Sequence, residues 1–342
     1  MKEIVKPLMQ WYAKHARTLP WRSDPTPYHV WLSEIMLQQT RVEAVIGYYD
    51  RFLEELPDVQ SLAAVSEERL LKLWEGLGYY NRARNLQKAA VQICEQYQGK
   101  FPESYEEWLA LPGIGAYTAG AVTSIAFGKK EAAVDGNVYR IYTRLYADDT
   151  EISKTAFQRN VRETVKEALP EEAGRFNQAL MDLGALICIP NGEPHCSVCP
   201  VAEFCKARKQ GTMQCYPVKK TKKERKLEQR TIFVIECQGK YMIRKRPEKG
   251  LLAGMWELPG QEQHMSLEEI RDWTAEWDLS SDIQLLGRAK HISHVEWHML
   301  GYGIHLRDIP EQLRSQGIFC DAQTLREQYS IPTAFAYYLQ SL

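Results

Sequence analysis

Residues 111–138 read LPGIGAYTAGAVTSIAFGKKEAAVDGNV. Leu111-Pro112-Gly113-Ile114-Gly115 is a tight turn whose glycines can take backbone angles closed to other residues. From Ala116 to Phe127 small and apolar residues run without a breaker, and Gly128 stands where a helix stops. Ser104 and Glu107 have capping-box spacing, which places a short helix ahead of the turn. The unit, about residues 104–128, is therefore helix, glycine hairpin, helix. Amides left free at the turn and at the following helix start can hold a phosphate. Asp135 follows in Val134-Asp135-Gly136-Asn137-Val138, beside a helix expected from Asn137 to Leu145 whose amides favour an ionised carboxylate. Taken alone, the same residues also describe an ordinary Pro-Gly turn and a helix-capping acid.

Working outward, the first two hundred residues carry helical spacing with short connections and no alternating strand pattern. Tyr28 to Thr40 sets Trp31, Ile35 and Gln39 four apart, with Leu32 and Met36 adjoining. Glu34 falls among these apolar residues. It is either the edge of an amphipathic helix or a carboxyl held in an apolar pocket, its pKa raised enough to donate a proton. Further helices are expected at 42–56, 66–76, 81–97, 154–168 and 171–187. Gly76-Leu77-Gly78-Tyr79-Tyr80 breaks the series with two aromatics at a turn.

The eight cysteines are unevenly spread, with Cys188, Cys196, Cys199 and Cys205 in one short segment. Gaps of seven, two and five residues among Pro190, Gly192, Pro194 and Pro200 let four thiolates converge. Four sulfurs select zinc or an iron–sulfur cluster, and spacing alone does not choose. A tight cluster in a chain without an apolar leader or an eighteen-residue apolar run points to metal in a reducing cytoplasm, with no membrane association. The net charge of -1 supplies no general attraction to nucleic acid, so any such field is local. Residues 218–230, with seven basic and two acidic side chains, are the local cluster and read as a linker.

Beyond it the period changes. Thr231 to Cys237 and Lys240 to Arg246 flank Gln238-Gly239 as a hairpin. Ser266 to Trp277 reads as a capped helix, Val295 to Leu306 as a strand pair, and Pro332 to Leu342 as a closing helix. The expected organisation is an all-α domain over 1–217, a basic linker over 218–230 and an α+β domain over 231–342.

LPGIGAYTAGAVTSIAFG followed by VDGNV resembles the helix-hairpin-helix and catalytic-aspartate signature of the endonuclease III superfamily of DNA base-excision glycosylases. Members that also cut the strand carry a lysine nucleophile in the hairpin region. Tyr117 stands at that place here and cannot form a Schiff base. The chain therefore looks like the monofunctional branch, the MutY-type adenine DNA glycosylases. Leu19-Pro20-Trp21-Arg22 and Ser33-Glu34-Ile35-Met36-Leu37-Gln38-Gln39-Thr40 are similar to that family's segments, the second carrying its catalytic glutamate.

The resemblance implies Glu34 as general acid, Asp135 as stabiliser of the cationic sugar or as the group that traps it covalently before hydrolysis, and Tyr117 and Asn137 around them. It places Arg17 at the adenine and Gln39 and Tyr79 near the gap left in the helix, with Trp21, Thr40 and Leu77 among the residues that bind substrate or DNA. Gly113 and Gly115 would meet the phosphate backbone. It also implies a 4Fe-4S cluster on Cys188, Cys196, Cys199 and Cys205, although the family's first gap is six residues, not seven. Residues 231–342, notably KGLLAGMWELPG, resemble a Nudix-like domain that surveys 8-oxoguanine. QEQHMSLEEIRDWTAEW lacks the glutamate core of a working Nudix hydrolase, which implies recognition without hydrolysis. The family's Phe-Ser-His recognition motif is matched by Ile292-Ser293-His294, with isoleucine at the aromatic position.

The implied activity is hydrolysis of adenine from double-stranded DNA at A:8-oxoguanine or A:G mispairs, by a cytoplasmic monomer associated with the nucleoid through DNA. A thymine-releasing relative and a noncatalytic damage-binding protein are the alternatives. Release of free adenine and strand opening after heat and alkali separate the three.

Overall fold

A computed structural model describes residues 1–220, 224–293 and 295–340. The chain falls into two compact units, Met1–Ala64 with Arg84–Lys222, and Val65–Ala83 with Lys223–Leu342. Residues 65–83, which the sequence places within the helical domain, are thus grouped with the C-terminal unit.

The first unit is helical. Ser104 and Glu107 form the reciprocal capping box of helix Tyr105–Leu109. The chain then turns at Gly113, whose φ of 75° favours glycine, and enters helix Ala116–Phe127. That helix is buried almost continuously from Thr118 to Ser124, which is why its sequence shows small and apolar residues without a polar face. Gly128 ends it in the left-handed conformation.

The segment 131–135 passes directly over this helix. A Cβ on Gly120 would lie 2.2 Å from the Ala132 carbonyl oxygen, so only glycine admits that approach. Asn177, fully buried, pins the same segment. Its amide nitrogen donates to the Glu131 carbonyl at 2.8 Å, and its oxygen accepts from Ala133 N–H at 3.2 Å. Asp135 then caps helix Gly136–Tyr146. Helix Pro27–Leu37 ends three residues before the expected Thr40, because Gln39 takes a φ of 58° that no helix continues.

The second unit is a seven-stranded sheet with helices on both faces. Its strands are β1 Lys226–Cys237, β2 Lys240–Lys245, β3 Trp256–Glu257, β4 Gly260–Gln261, β5 Gln284–Ile292, β6 Val295–Leu306 and β7 Ile318–Asp321. The path runs β3-β2-β1-β6-β5, with β4 on β1 and β7 on β2. The central pair β1 and β6 is parallel along its whole length, from Lys226 opposite Val295 to Cys237 opposite Leu306. Ile232 and Val234 face one core, Phe233 and Ile235 the other, which explains the weak alternation of this stretch.

Three sequence expectations are corrected here. Residues 226–230, read as linker, are the first part of β1, since β6 supplies partners for their backbone groups. Val295–Leu306 is one strand, not a pair. Its Gly301 marks a close approach, a Cβ there lying 2.0 Å from the Tyr338 ring. The closing helix is a short turn at Thr333–Phe335 followed by helix Ala336–Leu339, and residues 341–342 lie outside the described residues.

Residues 65–83 are tied into this unit by side chains. Ser330 Oγ donates to the Leu71 carbonyl at 3.0 Å, Ile331 N–H to Glu75 Oε1 at 2.7 Å, and Trp256 Nε1 to Glu68 Oε1 at 2.8 Å.

Gly120→Ala tests the crossing in the helical unit. The added methyl meets backbone, which cannot swing aside, so a loss of about 3 kcal/mol or more is expected in denaturant unfolding. A loss below about 1 kcal/mol would show that the 131–135 segment gives way freely.

Candidate active site and cysteine loop

Helix Pro27–Leu37, the glycine turn, helix Ala116–Phe127, the start of helix Gly136–Tyr146 and helix Ala173–Leu186 surround a cavity of about 710 Å³. Arg17, Trp21, Glu34, Gln39, Thr40, Gly113, Gly115, Tyr117, Asp135 and Asn137 all line it. Sequence reading named each of these ten.

Glu34 is 6% exposed on a helix whose neighbours Val30, Trp31, Ile35 and Met36 are apolar and buried. Tyr117 Oη donates to Glu34 Oε2 at 2.5 Å. Burial raises the Glu34 pKa to about 7; the Tyr117 hydrogen bond and the Arg22 charge oppose the rise, and Asp135 adds to it.

Asp135 is fully engaged. Oδ1 accepts from Val138 N–H at 2.9 Å and Oδ2 from Asn137 Nδ2 at 2.6 Å. Burial nonetheless lifts its pKa above the ordinary carboxylate value, against these bonds and the Arg140 charge. The helix amides favour the ionised form, as the sequence leads one to expect, but burial outweighs them. Asn137 is held in turn by Arg140, whose Nη2 donates to Asn137 Oδ1 at 2.7 Å and to the Gly184 carbonyl at 2.8 Å. Arg140 Nε reaches the Cys188 carbonyl at 2.7 Å.

Sequence reading missed Asp182, Gln178 and Arg140. Asp182 is 0% exposed and receives Arg17 Nη2 at 2.7 Å and, from Arg22, Nη1 at 2.8 Å and Nη2 at 2.9 Å. An acid amid the apolar residues Leu180 and Leu183 gave the same signal as Glu34. Gln178, also on the cavity wall, gave none.

Cys188, Cys196, Cys199 and Cys205 line one apolar cavity beside Arg144 and Arg208. Arg144 Nη1 lies 3.2 Å from Cys188 Sγ and donates to the Ile189 carbonyl at 3.0 Å. Among the described residues no three His, Cys, Asp or Glu side chains gather closely enough to share a single metal ion. The thiols surround a space; they do not meet at a point.

Leu77, Tyr79 and Ser293 belong to the second unit. Leu77 is buried, whereas Tyr79 is 58% exposed with a φ of 47°. Arg82 staples their turn, donating to the Leu77 carbonyl at 2.9 Å and the Gly78 carbonyl at 3.1 Å. Ser293 closes the turn after β5, its hydroxyl donating to the Val295 carbonyl at 3.0 Å, and the preceding Ile292 is 58% exposed. His291 packs on Trp297, their ring centres 5.9 Å apart. His294 lies outside the described residues.

No helix among the described residues is long and apolar enough to cross a membrane. Residues 32–167 match the family of HhH-GPD superfamily base excision DNA repair proteins, and residues 231–341 match the NUDIX domain. Adenine DNA glycosylase of Mus musculus is 34% identical, the match taking in 92% of this chain and 74% of the mouse protein. A thermostable thymine-DNA glycosylase superposes with a TM-score of 0.56 at 29% identity, over 61% of this chain and 96% of its own. Endonuclease III trapped as a covalent intermediate with DNA gives a TM-score of 0.52 at 26% identity, over 61% of this chain and 95% of its own. The breadth of the mouse match, which takes in both units, decides among these: the chain belongs to the adenine DNA glycosylase family of base excision repair enzymes.

Proposed function

We propose that the chain removes adenine from double-stranded DNA by hydrolysing the N-glycosidic bond, at mispairs with 8-oxoguanine or guanine. The supporting observation is the pair Glu34 and Asp135 on one cavity, with Tyr117 bonded to the first and Asn137 to the second. Its volume of about 710 Å³ suits a nucleoside turned out of the duplex.

Adenine is a poor leaving group until a ring nitrogen is protonated. Glu34, with a pKa of about 7, is protonated in about half of the molecules at neutral pH and lies where a carboxyl is kept from water. Its proton passes to the base as the bond to the sugar breaks, the bonding electrons leaving with adenine. Asp135 opposes the positive charge growing on the sugar, its geometry fixed by Val138 and Asn137. Water then adds to the sugar carbon and returns a proton to Glu34. Two carboxyls in different surroundings take two different roles. With tyrosine at position 117, the abasic strand stays uncut until alkali is added.

Arg17, Trp21, Gln39 and Thr40 are assigned to the extruded nucleotide and its gap, and Gly113 and Gly115 to the phosphates. Tyr79 and Leu77 are assigned to the DNA at that gap, and Ser293 and His294 to the opposing 8-oxoguanine. The division of labour follows: the helical residues 1–217 excise, and residues 231–342 sense the opposing base without hydrolysing nucleotides. Glu269 of the capped helix supports the second half, since it is spent on Ser266 N–H.

The four cysteines fit a 4Fe-4S cluster. Tetrahedral zinc, with bonds of about 2.3 Å, would draw four sulfurs to within roughly 3.8 Å of one another. Thiols set around a cavity, with Arg144 beside Cys188, suit the larger iron–sulfur core. Such a cluster supplies structural cross-linking of the loop when bound. Arg140 and Arg144 hold that loop to helix Gly136–Tyr146.

Release of free base decides the reading. The wild type is expected to release adenine from A:8-oxoguanine and A:G duplexes faster than from A:C or A:T, while Glu34→Gln binds the same DNA and loses at least about 10²-fold in single-turnover rate. Thymine release, or full activity in Glu34→Gln, overturns it. The single-turnover rate should fall as pH rises through about 7, because the proton on Glu34 is lost there. Tyr117→Phe removes a bond that favours the charged form, so the midpoint should move to higher pH. Cys199→Ser should lower the iron and acid-labile sulfide content of the purified protein and its visible absorption; unchanged iron and sulfide would remove that cysteine from the ligand set.

A further inference from the structure

Gln178 lies on the cavity wall, on helix Ala173–Leu186, one turn before Asp182. Its carboxamide has two ends of nearly equal shape and opposite hydrogen-bonding character. Which end faces the base decides what the wall can recognise. Tyr12, from helix Lys2–His15, settles this choice. Its hydroxyl donates to Gln178 Oε1 at 2.6 Å. Tyr12 is 5% exposed, and burial raises its pKa, so the phenol keeps its proton. Among the described residues that proton has no other acceptor. Reversing the amide would leave the buried hydroxyl proton unpaired, which is costly. The Tyr12 ring is itself held in place. The Arg22 guanidinium stands 5.8 Å from its centre and is fixed by both oxygens of Asp182.

We infer that Tyr12 is a positioning residue for the base pocket, locking Gln178 so that its amide N–H, and not its carbonyl, is offered to the base. This rests on reading the cavity as the site of the extruded adenine. The offered N–H matches a ring nitrogen that accepts a hydrogen bond. It does not match a base edge that presents N–H at the same place. Tyr12 thereby contributes to base selection without touching the base.

A double-mutant cycle tests the lock on the full chain. Single-turnover adenine release from an A:G duplex is measured for the wild type, Tyr12→Phe, Gln178→Ala and the double variant. Tyr12→Phe should slow release about five- to tenfold, the scale of one hydrogen bond. In the Gln178→Ala background the same change should cost less than about twofold, because nothing remains to be positioned. Equal losses in both backgrounds assign Tyr12 a packing role and overturn the proposal.

A second measurement needs no Tyr12 variant. Duplexes carrying 1-deaza-, 3-deaza- or 7-deazaadenine, each with one ring nitrogen replaced by C–H, are compared in equilibrium binding. One replacement should weaken binding to the wild type about five- to tenfold and leave Gln178→Ala unaffected. If every replacement affects both proteins equally, Gln178 donates nothing to the base and the proposal falls. Failure of the wild type to release adenine at all overturns the reading of the site, an outcome distinct from either of these.

Discussion

Two carboxyl groups on the wall of one cavity, one buried and one half-buried, are the constraint on which the rest of the site depends. Desolvation disfavours charge on both, and Asp135 adds to the cost of charging Glu34. The surroundings divide them. Asp135 has a backbone amide, an asparagine amide and the nearby Arg140 charge, all favouring its ionised form. Glu34 has one tyrosine hydroxyl and the Arg22 charge. The proton therefore belongs on Glu34. Identical chemistry placed in unequal company gives the two groups the unequal proton affinities that the proposed acid and charge-stabilising roles require.

Holding Asp135 there takes a chain of contacts along one helix. Asn137 bonds Asp135, Arg140 bonds Asn137, and Arg140 also grips the Cys188 carbonyl. One turn further, Arg144 grips Cys188 Sγ and the Ile189 carbonyl. The close fit of Gly184 against Asn137, where a Cβ would lie 2.6 Å from the asparagine Cβ, shuts the remaining space. The cysteine loop and the Asp135 carboxylate are thus ordered by one helix face, through arginines four residues apart. Whatever stiffens the loop also stiffens the asparagine that aims the carboxylate.

Much of this was legible in the sequence because burial and turn chemistry leave local marks. The glycine hairpin, both capping boxes and the isolated acid at Glu34 are short-range patterns, and each appears in the structure where it was expected. Gln39 escaped because a left-handed residue at a helix end has no apolar signature. Its positive φ takes it and Thr40 out of the helix and onto the cavity wall. The first part of β1 escaped for a different reason. Lys226–Arg230 reads as a solvated charge run, and only pairing with Val295–Met299, some seventy residues away, makes it a strand. Asp182 was equally visible and overlooked, since an acid on an apolar helix face acquires meaning only when its arginines are seen.

The grouping of residues 65–83 with the C-terminal sheet bears on how the polypeptide can be shortened. Severing it within the basic segment would not yield a tidy helical fragment. Leu71, Glu68 and Glu75 would lose the serine, tryptophan and backbone partners supplied by residues 256–331. The exposed tyrosine of the Gly76–Tyr80 turn rides on that same short stretch. During synthesis this stretch leaves the ribosome long before its partners do. It must wait until residues 256–331 have been made before its last hydrogen bonds can close.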